Sequence, residues 1–345
     1  MSQSPSTVHR PAGLLSRGQC ILFGALLALP LLELVFDLGI SAPTRFVLGF
    51  AIVGIGLNVV VGFTGLLHLG IAAFMAIGAY AFAILTCTIY PFQIGFWPGL
   101  LAALLIGAVA GAFLGAPTLR LRGDYLAIVT LGFGEIVQDL LKNLELITKG
   151  TQGINPLPTP WFFGATFASD TPKSWYFLYL GILLACTMLV RNLEHSRIGR
   201  QWFAVREDEL AARCMAIRPD RVKLTALAVG AGLAAVGGAL LASLISSTGE
   251  PGNYDFQISI LALCIVIVGG IGSLTGVIVG ALVMVGMNSI LLPMLGQKLQ
   301  QAGIGTTTSV YLAPDNYKYL LFGLALVLMM RFKPKGIVAA KEEDH

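Results

Sequence analysis

The sequence predicts an all-α polytopic membrane protein of about ten transmembrane helices, some of them interrupted, with both termini in the cytoplasm. Hydrophobic residues make up 56% of the chain, charged residues only 12%, and the mean hydropathy is +0.81. Soluble domains carry roughly 25% charged residues, so this chain has too few charges to cover a water-soluble globule. The same composition excludes a disordered chain, which needs low hydrophobicity and high charge.

Continuous apolar runs define the individual spans, since a helix that crosses a bilayer needs about 20 apolar residues. The runs do not alternate as the strands of a β-barrel would, which favours helices. The predicted spans are Cys20–Phe36, Phe46–Val61, His68–Cys87, Gly95–Gly115, Tyr125–Leu141, Trp175–Val190, Leu224–Ile245, Gln257–Val268, Ser273–Leu292 and Tyr319–Met330. They predict a cytoplasmic tail over 1–19, a membrane domain over 20–331 with a charged loop at 191–223, and a second cytoplasmic tail over 332–345.

The distribution of basic residues sets the orientation, because cytoplasmic loops are enriched in Lys and Arg. With ten spans and the N-terminus inside, sixteen of the 22 Lys and Arg residues fall on the cytoplasmic side and six on the outer side. The asymmetry favours this topology, with an uncleaved first helix.

Glycines at four-residue spacing predict close helix packing. In lipid, helices associate through close backbone approach and polar contacts, because apolar side chains gain little by leaving the lipid tails. Two spans carry such stripes, and we interpret them as internal packing faces, with a subunit interface as the alternative. The glycines are Gly107, Gly111 and Gly115 in the fourth span and Gly276 and Gly280 in the ninth.

Two glycine-rich stretches interrupt the helical pattern inside apolar sequence: VGFTGLLHLG at Val61–Gly70, the first break, and VGGIGSLTG at Val268–Gly276, the second break. Non-helical backbone at membrane depth survives only where protein buries it or where it lines a wet cavity. Interrupted segments at corresponding positions of two halves point to a substrate path; ordinary tight turns are the alternative. The path candidates are Asn58, Thr64, Gly65, His68, Glu135, Gly270 and Gly272.

Polar residues within the spans leave alternatives open. Glu135 and Asp139 lie four residues apart and share one helix face. Glu135 either lines a path or pairs with a neighbouring subunit, whereas Asp139 is expected to reach the outer interface near Lys142. His68 and Asn58 fit helix packing as well as a path. No residues have the spacing of a metal site, and no catalytic motif is present.

The charged loop contains a predicted helix, REDELAARCMAI, from Arg206 to Ile217, which Pro219 is expected to stop. Leu210, Cys214 and Ile217 would form a narrow apolar stripe on it. A helix this short is marginal alone in water, so something must hold it. It either lies on the membrane surface or docks into a groove of a cytosolic partner.

Four stretches resemble the permeases of ATP-binding cassette (ABC) importers for branched-chain and other hydrophobic amino acids, specifically the M-type membrane subunit. They occur in the family's order and cover about a quarter of the chain. The stretches are GLNVVVGFTGLLHLGIAAFMAIGAY at 56–80, RGDYLAIVTLGFGEIV at 122–137, SRIGRQWFAVREDELAARCMAI at 196–217 and VGGIGSLTGVIVGAL at 268–282.

The resemblance implies a multi-pass permease subunit of the bacterial inner membrane that is not an enzyme and binds no cofactor. ATP would be used by two cytosolic ATPase partners, which agrees with the lack of a GxxxxGK[ST] motif here. A second permease and a periplasmic binding protein are the other implied partners. The family's coupling helix maps to Glu209, Ala211 and Ala212. We extend the coupling set to Arg206, Glu207, Glu209, Leu210, Ala211, Ala212, Cys214 and Ile217.

The sequence departs from the family pattern at His68, where Ser is common, at Ile71, where His is common, and at Ala216, where Gly is usual. The first two departures bear on the cargo, for which urea, short amides or aromatic acids are alternatives to branched-chain amino acids. The rival mechanism is an ion-coupled secondary transporter that uses Glu135 or Asp139.

Overall fold

The structure is a computed structural model that describes residues 17–36, 41–118, 124–162, 165–166, 172–294, 296, 318–333 and 336–338. The predicted tails, 1–19 and 332–345, lie largely outside the described residues. Within the described residues, the regular structure is helical apart from one pair of two-residue antiparallel strands, β1 (Trp161–Phe162) and β2 (Ala165–Thr166). The prediction of an all-α protein is therefore confirmed.

Each predicted span coincides with a helix. The described helices are α1 (Arg17–Phe36), α2 (Ser41–Asn58, extended by a π-helical turn Val59–Phe63), α3 (Ile71–Thr86), α4 (Phe96–Thr118), α5 (Asp124–Asn143), α6 (Glu145–Thr148), α7 (Pro172–Glu194), α8 (Arg197–Glu207), α9 (Glu209–Cys214), α10 (Pro219–Leu244), α11 (Phe256–Gly269), α12 (Leu274–Gly286, extended by a π-helical turn Met287–Leu291) and α13 (Lys318–Phe332). Single 3₁₀ turns occupy Gly150–Gln152 and Pro251–Asn253.

Six of the described helices are long and apolar enough to cross a membrane. They include α2, α4, α7, α10, α11 with its preceding turn, and α12 with its π-helical turn. The apolar parts of α1 and α13 and the whole of α3 are shorter, and α5 carries several charges. Length and hydropathy thus support six spans in the described residues, and the count of ten and the cytoplasmic termini stay predictions.

Helix α10 lies at the centre and packs against α2, α3 and α4. Glycine makes these contacts close. A Cβ atom placed on Gly56 of α2 would lie 2.6 Å from the Gly230 carbonyl oxygen, and one on Gly78 of α3 would lie 2.2 Å from the Ala235 carbonyl oxygen. The backbones touch where side chains would otherwise stand, as close packing in lipid requires.

The predicted glycine stripes lie at contacts inside the chain. Gly107 and Gly111 of α4 face Ala235 and Ala231 of α10, and Gly115 faces the side chain of Leu224. On α12, Gly276 faces the backbone of Gly269 and Gly280 faces the carbonyl of Ile265, both on α11.

The α4–α10 contact leads to a stability prediction. In Gly111→Ala the new Cβ would lie 2.5 Å from the Ala231 Cβ and 2.6 Å from the Leu227 carbonyl oxygen, and neither atom can rotate away. The two helices must separate, so we expect a loss of about 1–3 kcal/mol in the free energy of unfolding. Thermal unfolding of the detergent-purified chain measures it.

The control for this prediction is Gly181→Ala in α7, where a Cβ would meet nothing within 4 Å. An alanine in an open helical position stabilises by about 0.5–1 kcal/mol. Equal unfolding temperatures for both variants would contradict the packing role of Gly111.

Candidate functional site

The first break is an extended segment between two helices. The π-helical turn ends at Phe63, the Thr64 hydroxyl donates to the Val60 carbonyl, and Gly65 adopts a φ of +69° that redirects the chain. Residues 65–70 then have no regular structure before α3 begins at Ile71.

The two ends of this segment contact opposite ends of a neighbouring helix, α11. At its start, Gly62 packs against Gly272, just beyond the end of α11. At its end, the Ala72 amide donates to the Ser259 hydroxyl near the beginning of α11. From Ser259 to Gly269 the axis of α11 rises about 15 Å. The two ends of the first break therefore lie near opposite ends of α11, about 15 Å apart along its axis, and six residues without regular structure connect them.

The second break is a tight turn. Helix α11 ends at Gly269, Gly270 and Gly272 have φ values of +127° and +85°, and the Ser273 hydroxyl caps α12 by accepting from the Gly276 amide. Residues downstream of α13 complete it: the amides of Ile337 and Val338 donate to the carbonyls of Val268 and Gly269 at 2.9 and 3.0 Å. These bonds satisfy carbonyls that a helix end leaves without partners.

A buried asparagine joins the two breaks. The side-chain oxygen of Asn58 accepts from the Gly272 amide at 2.9 Å, across 214 residues of sequence. Asn58 has no exposed surface, and its Nδ2 atom has no hydrogen-bond partner among the described residues. The two predicted breaks are thus one assembly, in which Asn58, Gly270 and Gly272 lie together.

His68 is buried in the extended segment. Its Nδ1 accepts from the Gly70 amide, its ring stacks on Phe74 at 5.5 Å, and its Nε2 has no partner among the described residues. The Leu69 amide donates to the Thr130 hydroxyl of α5. The described residues bring no three His, Cys, Asp or Glu side chains together as a metal site.

Helix α5 presents the carboxylates of Glu135 and Asp139 outward. Glu135 and Asp139 are both exposed, and Asp139 lies 3.8 Å from Lys142. The neighbouring Gln138 points the other way, is buried, and donates to the Gly252 carbonyl. A carboxylate that faces lipid is costly, so this face of α5 fits contact with water or with another protein better than contact with lipid tails.

The predicted helix from Arg206 to Ile217 is wrong in its bounds. Asp208 divides it: this residue ends α8, and its carboxylate caps α9 by accepting from the amides of Leu210 and Ala211 at 2.7 and 3.1 Å. Pro219 stops nothing and instead occupies the first turn of α10, where its missing N–H costs nothing. The charged loop therefore contains two helices, and the coupling candidates Arg206 and Glu207 lie on α8.

Helix α9 is held to the membrane domain through Glu209. Its carboxylate accepts from Arg213 and from the buried Lys223 of α10, both at 2.8 Å. Burial alone would raise the pKa of Glu209, but the hydrogen bonds and charges of Lys223 and Arg213 outweigh it and hold the pKa below its ordinary value. This carboxylate is therefore engaged in ion pairs inside the chain.

Helix α9 and the residue that follows it expose an apolar face, which the exposed side chain of Arg213 borders. Leu210 and Met215 are 73% and 77% exposed, and Ala211 and Cys214 are exposed beside them. Ala212 is buried on the opposite side. The predicted stripe fails at Ile217, which lies beyond the helix and is half-buried, because Ala216 turns the chain with a φ of +60°.

Helix α8 packs against the end of α2. Phe63 packs against Trp202 and Phe203, with ring centroids 6.2 and 5.2 Å apart. The Arg206 guanidinium donates to the Gly62 carbonyl at 2.7 Å. The charged loop is thereby attached to the first break, a contact that sequence spacing could not indicate.

A pocket at the opposite end was not predicted from the sequence. It has a volume of about 360 Å³ and opens between the starts of α2 and α11 and the end of α12. Phe46, Asn253, Asp255 and Asn288 are among its lining residues. The only local signal is Asp255, whose carboxylate caps α11 by accepting from the Ile258 amide.

These features define a multi-pass helical membrane protein with interrupted helices and a short helix with an exposed apolar face, which adjoins the helix bound to the first break. Residues 40–330 match the family described as branched-chain amino acid transport system / permease component. The chain belongs to this family of membrane permease subunits.

Individual relatives agree with this assignment. The chain is 39% identical over 310 residues to the high-affinity branched-chain amino acid transport system permease protein LivM of Salmonella typhimurium and to that of Escherichia coli, covering 84% of this chain and 67% of each relative. It is 28% identical over 204 residues to the autoinducer 2 import system permease protein LsrC of Yersinia pseudotuberculosis, covering 55% and 53% of the two chains. No solved structure matches the chain.

The ion pairs of Glu209 predict a pH dependence. Because the folded state lowers the pKa of Glu209, the carboxylate stabilises the fold fully above its ordinary pKa of 4.5, and this contribution is lost as the pH falls through the folded-state value. The unfolding temperature of Glu209→Gln should therefore lie below that of the unchanged chain at about pH 7 and approach it as the pH falls below the ordinary pKa of 4.5.

The matched control is Glu207→Gln, which removes an exposed carboxylate that makes no salt bridge among the described residues. It should shift the unfolding temperature little at either pH. A Glu209→Gln difference that persists unchanged at low pH would contradict the ionic role.

Ala216 leads to a second stability prediction at this site. It follows α9 in the left-handed conformation that usually selects glycine, and the Ile217 amide donates back to the Ala212 carbonyl as in a glycine-capped helix end. We expect Ala216→Gly to stabilise the chain by about 1 kcal/mol, measured by thermal unfolding.

The control is Ala211→Gly, within α9, which should destabilise the chain by a similar amount. Stabilisation by both variants would contradict the explanation from the backbone conformation of Ala216.

Proposed function

We propose that this chain is the transmembrane permease subunit of an ATP-driven importer in the bacterial inner membrane. The observation that carries the proposal is the exposed apolar face of α9, attached through α8 to the interrupted end of α2. Such a surface fits the helix-in-groove mode of docking. Its occupant is a cytosolic ATPase subunit, and the chain itself binds no cofactor and hydrolyses no ATP.

The cargo we propose is a branched-chain or related hydrophobic amino acid. The 39% identity to permeases named for branched-chain amino acid transport supports this substrate class. Identity to a permease named for autoinducer 2 import, at 28%, is lower and covers less of the chain. A periplasmic binding protein would deliver the cargo, and urea, short amides and aromatic acids remain alternatives within the family.

The translocation path, in this proposal, forms between the chain and a second permease. The exposed carboxylate of Glu135 on α5 favours that placement, because it would otherwise face lipid at a cost of several kcal/mol. The segment at the first break, with Thr64, Gly65 and His68, lies beside α5 through the Leu69–Thr130 hydrogen bond. Ten crossings with both termini inside complete the proposed topology.

The docking proposal is tested on α9 itself. Leu210→Asp and Met215→Asp place charges on the two most exposed apolar side chains near this helix, so the ATPase subunits should be lost from the purified complex and ATP-dependent leucine uptake should fall about tenfold or more. Co-purification and uptake into vesicles of radiolabelled L-leucine are the measurements.

Leu146→Asp is the matched control, because Leu146 is 94% exposed on α6, away from the charged loop. It should retain the ATPase subunits. Full retention by both α9 variants would exclude this docking site.

The ion-coupled rival is tested with the same vesicles. Import that survives ATP depletion, collapses with a proton uncoupler and is abolished by Glu135→Gln would replace the proposal. Import that requires ATP in the presence of the uncoupler supports it.

A further inference from the structure

Among the described arginines of the charged loop, Arg206 donates to a break, whereas Arg191, which also bonds across a long stretch of sequence, donates to the side-chain oxygen of Gln19 in α1. The Arg206 Nη1 donates to the Gly62 carbonyl at 2.7 Å across 144 residues of sequence, whereas Arg200 of the same helix donates to the His195 carbonyl only five residues away. A Cβ placed on Gly65 would lie 3.3 Å from the Arg206 Cγ. The side chain of Arg206 thus contacts the start of the first break, at Gly62 in the last helical turn and at Gly65, the residue that redirects the chain.

The Gly62 carbonyl is a favourable acceptor for a cation. It belongs to the last turn of α2, where carbonyl groups lack intrahelical partners and carry the negative end of the helix dipole. The nearby Val60 carbonyl is already used, by the Thr64 hydroxyl and the Leu66 amide. A charged donor gives a stronger hydrogen bond than a neutral one.

The same turn is in contact with the second break. A Cβ on Gly62 would lie 2.3 Å from the Asn58 side-chain oxygen and 2.7 Å from the Gly272 amide nitrogen, which are themselves hydrogen-bonded. A continuous series of contacts therefore joins Arg206, Gly62, Asn58 and Gly272. This series runs from the charged loop through the first break to the second break.

Two independent attachments connect α8 to the first break. The aromatic contact of Trp202 and Phe203 with Phe63 is apolar, and Trp202 is further fixed by its Nε1 bond to the Thr225 hydroxyl. The Arg206 bond to Gly62 is polar and fixes orientation. Removal of the Arg206 side chain leaves the aromatic contact in place, so the two attachments can be separated by experiment.

We propose that Arg206 is the positioning residue that transmits movement of the α8–α9 unit to both breaks, through Gly62 and the Asn58–Gly272 hydrogen bond. The inference rests on the proposed function and adds to it the route by which the docked helix acts on the path. Arg206 touches neither cargo nor nucleotide. Its loss should separate ATP hydrolysis from import and leave assembly intact.

The first experiment measures L-leucine imported per ATP hydrolysed by the full importer in proteoliposomes, with its second permease, ATPases and binding protein. Arg206→Gln should hydrolyse ATP at nearly the unchanged rate but lower the ratio about fivefold or more, the lower range of measured site–site couplings. Arg206→Lys, which keeps one charged donor, should recover part of the loss. Arg200→Gln, the matched control, should keep the full ratio.

The outcomes separate the inference from the proposed function. If the unchanged importer shows no ATP-dependent leucine import, the proposed function with leucine as its cargo fails. If it imports leucine and Arg206→Gln keeps the unchanged ratio, or if Arg200→Gln lowers it equally, the role of Arg206 is overturned. Parallel losses of ATP hydrolysis, import and unfolding temperature in Arg206→Gln would show a merely structural role and overturn it too.

A disulfide provides a second test that does not depend on the Arg206→Gln variant assembling. A Cβ on Gly65 would lie 4.0 Å from the Arg206 Cβ, within the range that a disulfide bridges. In the double variant Gly65→Cys/Arg206→Cys, oxidation should restore the leucine-to-ATP ratio that reduction lowers, because the disulfide attaches α8 to the first break at Gly65 after the hydrogen bond to Gly62 is lost.

The controls are the two single cysteine variants, which retain the chain's five native cysteines and report any unintended pairing. Oxidation should not change their ratios. An oxidised double variant that is arrested would show that α8 and the first break must part during transport, which would overturn the proposal.

Discussion

Close backbone contact around α10 is the constraint on which the rest of the structure depends. In a bilayer, apolar side chains gain little free energy when contacts with lipid tails are replaced by contacts with another helix. The stability of the helix bundle therefore comes from close approach of the backbones and from hydrogen bonds between the few polar groups. Gly56, Gly78 and Gly111 bring α2, α3 and α4 against the central helix, each at a distance that a methyl group would prevent. The interrupted segments can tolerate irregular backbone because this framework surrounds them.

The irregular segments satisfy their polar groups in different ways. In the first break, side chains supply the partners: Thr64, Thr130, His68 and Arg206 each bind a backbone group. In the second, Asn58 and the backbone of residues downstream of α13 do so. Because these partners satisfy its amides and carbonyls, non-helical backbone is stable between apolar helices, where each amide or carbonyl without a hydrogen bond would cost several kcal/mol.

The sequence predicts the features that neighbouring residues determine, but it does not predict contacts between residues that are far apart in the chain. The helices follow from continuous apolar runs, and both breaks follow from their glycines. The division of the charged loop at Asp208 was also readable, since Asp is a preferred helix cap and Pro219 suits a helix start. By contrast, the Arg206–Gly62 and Asn58–Gly272 bonds join residues 144 and 214 positions apart, and no periodicity reports such a pairing. The ion pair of Glu209 with the buried Lys223, 14 residues away, was not predicted for the same reason.

The pairing of Ile337 and Val338 with the end of α11 has a consequence for biogenesis. The carbonyls of Val268 and Gly269 receive these donors only after nearly seventy further residues have been synthesised. Until then the turn that holds Gly272 against Asn58 lacks its final support. The junction between the two breaks therefore depends on backbone donors that leave the ribosome long after the helices they join.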